Sequence, residues 1–156
     1  MKKSVAHFPV DYCHGSPPKW FEIQEGFDKG KSLFYLDFQT RAGTPQATVV
    51  FVHGNPESSY TYRHVIEHLR SSKHCIRIVA MDHIGFGLSD DADFEMVEMH
   101  HAANLLQLVR HLDLQQVSLA IHDWGGPIGV GAFIEEAWRV RNLVVMNSTV
   151  FPMPAD

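Results

Sequence analysis

The sequence predicts an α/β protein built on a mostly parallel, doubly wound sheet. Three observations point there. Short apolar runs recur along the chain, the mark of strands covered on both faces. Stretches with apolar residues at helical spacing separate them. Each run ends in a polar or glycine-rich corner. The composition agrees: 156 residues, 45% hydrophobic and 20% charged, form one ordinary folded domain rather than a disordered chain.

Residues 1–18 read as an irregular lead-in, with turn signals at Gly15-Ser16 and Pro17-Pro18. Residues 19–156 are expected to form a single domain. Its first two strands, over 20–27 and 33–39, carry aromatics and are joined by the turn Asp28-Lys29-Gly30. The pattern then changes. Ala47–Val52 is the first buried run, and residues 59–69 follow with apolar Tyr62, Val65, Ile66 and Leu69. A second run covers 76–81, and a long helix is expected over 94–112. A third run at 117–121, a helix over 127–138 and a fourth run at 143–146 complete the alternation. No repeat or low-complexity segment interrupts it.

Charge and cysteine content exclude several classes. Lys plus Arg number 13 and Asp plus Glu 18, a net charge of −5, so nucleic acid is not an expected partner. No apolar stretch approaches a membrane span. Met1-Lys2-Lys3 resembles a signal n-region, but His7, Pro9, Asp11 and His14 interrupt any apolar segment after it, so a cytoplasmic chain is expected. Cys13 and Cys75 follow no metal or redox spacing and read as free thiols.

The chemistry gathers at the strand-end corners: His53-Gly54-Asn55-Pro56, Asp82-His83-Ile84-Gly85-Phe86-Gly87, His122-Asp123-Trp124-Gly125-Gly126 and Asn147-Ser148-Thr149. Open α/β sheets form their sites outside the carboxyl ends of the strands. In the third corner a carboxylate stands between a strand and a helix opened by two glycines, where a tight turn thrusts the side chain out. No Gly-x-Ser-x-Gly occurs, which argues against a serine esterase. A Ser attacking a saturated carbon yields an ether that water does not readily cleave. An Asp yields an alkyl ester, and an activated water can hydrolyse that. Asp123 therefore points to displacement at saturated carbon; the plainer reading is a helix cap. The backbone N–H groups of Asn55 and Trp124 could form an oxyanion hole. The Asn55 amide and the Trp124 indole are neutral donors suited to a departing halide. The plainer readings are a turn at Asn55-Pro56 and a core Trp124.

His53-Gly54-Asn55-Pro56-Glu57-Ser58-Ser59-Tyr60, Asp82-His83-Ile84-Gly85-Phe86-Gly87-Leu88-Ser89-Asp90 and His122-Asp123-Trp124-Gly125-Gly126-Pro127 closely resemble three motifs of haloalkane dehalogenases, enzymes of the α/β-hydrolase fold. The resemblance runs from about Trp20 to the last residue. It implies Asp123 as nucleophile, Asn55 and Trp124 as the halide-stabilising pair, a small haloalkane and water as substrates, and no cofactor or metal. Two departures stand out. Such enzymes carry a base His late in the chain, a helical cap and two further strands, whereas here no His follows His122. The chain thus resembles the N-terminal half of such a domain, truncated before the cap and the last two strands. No multiple-turnover dehalogenation is expected of it alone, and its unpaired sheet edge invites self-association. Asn147 also stands where one branch of the family has a catalytic Glu.

Epoxide hydrolases share the Asp-Trp-Gly-Gly stretch but usually lack an Asn at the first corner. β-Lactone decarboxylases share the Asp, Asn and Trp, so these motifs do not separate them from dehalogenases. A non-catalytic or split hydrolase-like module is a further reading. His64-Val65-Ile66-Glu67-His68 fits a zinc spacing, but no third ligand is identifiable and a solvated helix face is the simpler reading. Gly85-Phe86-Gly87 lacks the third glycine of a dinucleotide loop, since Asp90 holds its place. Asp82 is expected to tie down its own loop, and His100-His101 to lie on the surface. His53 and His122 flank the site, and neither is expected to act as the base.

Overall fold

The computed structural model describes residues 3–93, 95 and 97–149. Strands β1 (Lys19–Glu22), β2 (Ser32–Gln39), β3 (Ala47–Val52), β4 (Ile76–Met81), β5 (Val117–Asp123) and β6 (Val140–Ser148) form one sheet in the order β1-β2-β4-β3-β5-β6. β1, β2 and β4 pair antiparallel; β4, β3, β5 and β6 pair parallel. Helices α1 (Arg63–Arg70), α2 (Glu98–His111) and α3 (Gly125–Phe133) make the crossovers.

The apolar runs are continuous because the strand period of two sends alternate residues to two cores. Val50, Val52, Val79, Met81, Leu119 and Ile121 pack with Leu105, Leu108 and Ile128 of α2 and α3. Phe51, Ile78, Ala80 and Ala120 pack on the opposite face with Ile66 of α1. From β3 the chain crosses to β4 on one side, whereas β5 lies on the other. The order reverses between β3 and β5, and a crevice opens at such a switch point. Both the first and the third corner lie there.

Several boundaries differ from expectation. The first strand ends at Glu22 rather than 27, because a turn closes there: the Ile23 N–H donates to the Lys31 carbonyl at 2.9 Å and the Gly30 N–H to the Ile23 carbonyl at 2.8 Å. The long helix begins at Glu98 after Val97, which offers no side-chain cap; Phe94 lies outside the described residues. The helix expected over 127–138 is α3 followed by a 3₁₀ segment, Ile134–Arg139, in which Glu136 leaves helical geometry (φ −124°, ψ 39°). The fourth run extends to nine residues, Val140–Ser148.

The lead-in has little regular structure beyond a 3₁₀ turn, Val5–His7, yet it packs tightly. Tyr12 is 3% exposed and its hydroxyl donates to Asp82 Oδ2 at 2.7 Å. Asp82 is fully buried and also accepts the N–H groups of Leu88 and Ser59, each at 2.8 Å. It therefore ties down its own loop, as expected, and the first corner and the lead-in as well. Cys13 and Cys75 are buried free thiols. Among the described residues β6 pairs only with β5, and its Leu143, Val144 and Val145 are exposed. No described helix is long and apolar enough to cross a membrane.

Candidate active site

β5 delivers Asp123 into a left-handed turn (φ 52°), from which α3 starts two residues later. A non-glycine residue there is strained and stays only where its surroundings hold it. Two glycines make room. A Cβ on Gly125 would strike the carbonyl of Val52, and a Cβ on Gly54 would overlap the Asp123 carboxylate. The first and third corners thus approach as closely as backbone permits.

The Asn55 N–H donates to Asp123 Oδ1 at 2.9 Å. Hydrogen bonding from the Trp124 N–H is the largest influence on this carboxyl and holds it below the usual carboxylate range; the Asn55 N–H acts in the same sense, against partial burial. Asp123 is therefore an anion at neutral pH. Ser148 Oγ donates to the Asp123 carbonyl at 2.6 Å, bracing the elbow from β6. Asn55 and Trp124 both line a cavity of about 240 Å³ with Gly54, Phe86 and Ile128. A second recess is lined by Asp123, Trp124 and Asn147. The structure thus brings together all three residues the sequence singled out.

Below the cavity lies a histidine stack. His53 Nε2 accepts the His83 N–H at 3.0 Å, so its proton sits on Nδ1, which donates to the Gly54 carbonyl at 2.7 Å. Both nitrogens of His53 are engaged inside the core. His83 packs on His53 and His101 at ring distances of 4.2 and 4.9 Å. Burial, reinforced by neighbouring imidazoles, lowers His83 well below its usual range and brings His101 to about 4. His101 is thus 7% exposed and lines the cavity, contrary to its expected place on the surface. The pattern could not separate it from its neighbour His100, because α2 buries a wide face running from His101 to Val109.

Two further residues were not singled out. Glu98 lines the cavity from the first turn of α2. Glu57 Oε2 meets His122 Nδ1 at 2.9 Å, coupling the first corner to the third. His64 and His68 stand exposed on α1, and no cluster of three or more metal-ligating side chains occurs among the described residues.

Residues 47–156 match the family model described as alpha/beta hydrolase fold. Haloalkane dehalogenase 2 of Mycobacterium tuberculosis (strain ATCC 25618 / H37Rv) is 36% identical over 150 residues, covering 96% of this chain and 48% of that protein. The Cis-3-alkyl-4-alkyloxetan-2-one decarboxylase of Xanthomonas campestris pv. campestris is 33% identical over 148 residues, covering 89% of this chain and 46% of that protein. The tetrameric structure of haloalkane dehalogenase DpaA from Paraglaciecola agarilytica NO2 matches with a TM-score of 0.82 at 29% identity, covering 97% of this chain and 50% of that one. The chain spans about half the length of the curated relatives it matches. By its sheet order, its elbow and these similarities, the chain belongs to the alpha/beta hydrolase fold family and resembles haloalkane dehalogenases.

Proposed function

We propose that this chain carries the nucleophilic half of a hydrolase that displaces halide from a small haloalkane through an ester on Asp123. One observation carries the reading. Asp123 Oδ1 accepts the Asn55 N–H and the Trp124 N–H also hydrogen-bonds this carboxylate, beside a cavity lined by the same two residues. Oδ2 attacks the halide-bearing carbon; the carbon–halogen bond breaks and its electron pair leaves with the halide. The Asn55 amide and the Trp124 indole donate to that anion as it forms. Water then adds to Cγ, and the negative charge develops on Oδ1, already in front of the Asn55 N–H, with the Trp124 N–H on the same carboxylate. Collapse releases the alcohol and restores the carboxylate. The attacking water must lose a proton to a base. Both nitrogens of His53 are engaged, so it does not take this proton, and in this reading the ester outlasts each displacement.

Residues 19–156 act in this reading as the N-terminal portion of one hydrolase domain, with 1–18 as its lead-in. Water is the co-substrate, no cofactor is required, and the cytoplasm is the proposed location. The edge of β6 that no other strand pairs among the described residues is the proposed route of self-association. The similarity to the oxetanone decarboxylase supports a second reading, attack of the same Asp123 on a β-lactone.

Intact mass after incubation with a small bromoalkane tests the first reading. One alkyl group on Asp123 with one equivalent of bromide is expected, and neither in Asp123→Ala. Absence of the adduct overturns the nucleophile; sustained bromide release lost in Asp123→Ala overturns the stalled ester. A parallel incubation with a β-lactone that alone modifies Asp123 would favour the decarboxylase reading.

A further inference from the structure

We propose that the cavity selects a short haloalkane whose far end carries an ammonium group, recognised by Glu98. The proposal deepens the haloalkane reading and rests on it. Asn55 and Trp124, the halide donors of that reading, lie on the β3 and β5 corners, whereas Glu98 and His101 come from α2. Glu98 and His101 are three residues apart and so share one face of that helix. The Glu98 carboxylate has no hydrogen bond or ion pair among the described residues. His101 is more than nine-tenths buried, and its Nδ1 has no partner. Its ring is fixed against His83 and Phe86 at 4.9 and 6.0 Å.

The electrostatics then follow. Buried among other imidazoles, His83 and His101 stay neutral near pH 7 and cannot offset a carboxylate. Among the described residues lining this cavity, Glu98 is the one acidic side chain and none is a lysine or arginine. A second carboxylate, added to that of Asp123 beside a site that must release an anion, opposes the reaction of a plain haloalkane, because like charges repel. An ammonium on the substrate reverses that sign: it pairs with Glu98 and leaves the developing halide facing a neutral wall. The volume, about 240 Å³, suits a chain of a few carbons between the two ends.

The test compares 3-bromopropylammonium, 3-bromopropan-1-ol and 1-bromobutane, with the rate of Asp123 alkylation read by intact mass. Wild type and Glu98→Gln, an isosteric change at an exposed position, are run side by side. Glu98→Gln is expected to slow alkylation by the ammonium about tenfold and to speed alkylation by 1-bromobutane about twofold. Opposite responses of this kind do not arise from misfolding. Added salt should narrow both differences. Equal changes for all three probes, no change, or a Glu98-dependent preference for the alcohol overturns the proposal while the nucleophile reading stands. No adduct with any probe overturns both.

Discussion

Acidification from pH 7 to pH 5 should weaken this fold through its buried histidines before its carboxylates matter. Burial, helped by the neighbouring His53, brings His101 from 6.5 to about 4. The unfolded chain therefore takes up a proton near pH 6.5 that the folded chain refuses until near pH 4. Stability is undiminished above the unfolded value and is lost as pH falls from 6.5 towards 4. In that window the slope from His101 alone approaches about 1.4 kcal/mol per pH unit, which amounts to about 2 kcal/mol at pH 5. His53 and His83 are lowered by burial too and add in the same direction. Against a typical stability of about 5–15 kcal/mol the loss is readily measured. Urea unfolding at pH 7, 6 and 5 and constant ionic strength reads it directly. His101→Gln should flatten the pH dependence by about one proton. Equal stability at pH 7 and pH 5, or an unchanged slope in His101→Gln, would refute the reasoning.

Other expectations follow from close contacts. Gly54→Ala places a methyl group against the Asp123 carboxylate and should abolish the alkyl adduct seen by mass. Tyr12→Phe removes a 2.7 Å bond to a buried carboxylate and should cost about 2 kcal/mol in urea unfolding. Asp37 is opposed by burial, but paired hydrogen bonds and charge from Arg77 hold its carboxyl below the ordinary range. Asp37→Asn should therefore cost about 1 kcal/mol at pH 7. That difference is present above the ordinary carboxylate range and should shrink as pH falls through the lowered value, as parallel urea titrations would show.

The four parallel strands were legible because burial on both faces leaves an unbroken apolar run, as at Ala47–Val52. That Asp123, Asn55 and Trp124 would lie together at neighbouring strand ends was legible because strand-end corners concentrate polar residues that no core requires. What sequence did not show depends on contacts between distant segments. Tyr12 looked like part of a loose lead-in, and only its bond across 70 residues to Asp82 explains its burial. His101 looked like His100 because a helix with a wide buried face gives no sharp polar boundary. The end of α3 was missed because Glu136 carries no breaker signal; its backbone turns where its carboxylate meets Arg110 and Arg139. Glu57 and His122 gave no local sign of pairing, being 65 residues apart.

Asp82 has a consequence for the order in which the molecule assembles. Its carboxylate draws in groups 6, 23 and 70 residues away. Closing a longer loop costs more entropy before any contact rewards it, so the contact with Tyr12 forms after β3 and β4 have joined. A contact made late on the way in is among the first released on the way out. Tyr12→Phe should then leave the refolding rate nearly unchanged and speed unfolding, with almost all of its energetic effect on the unfolding arm of the chevron. The lead-in serves as a latch drawn over a finished sheet, and the lifetime of the native state, more than its rate of formation, depends on it.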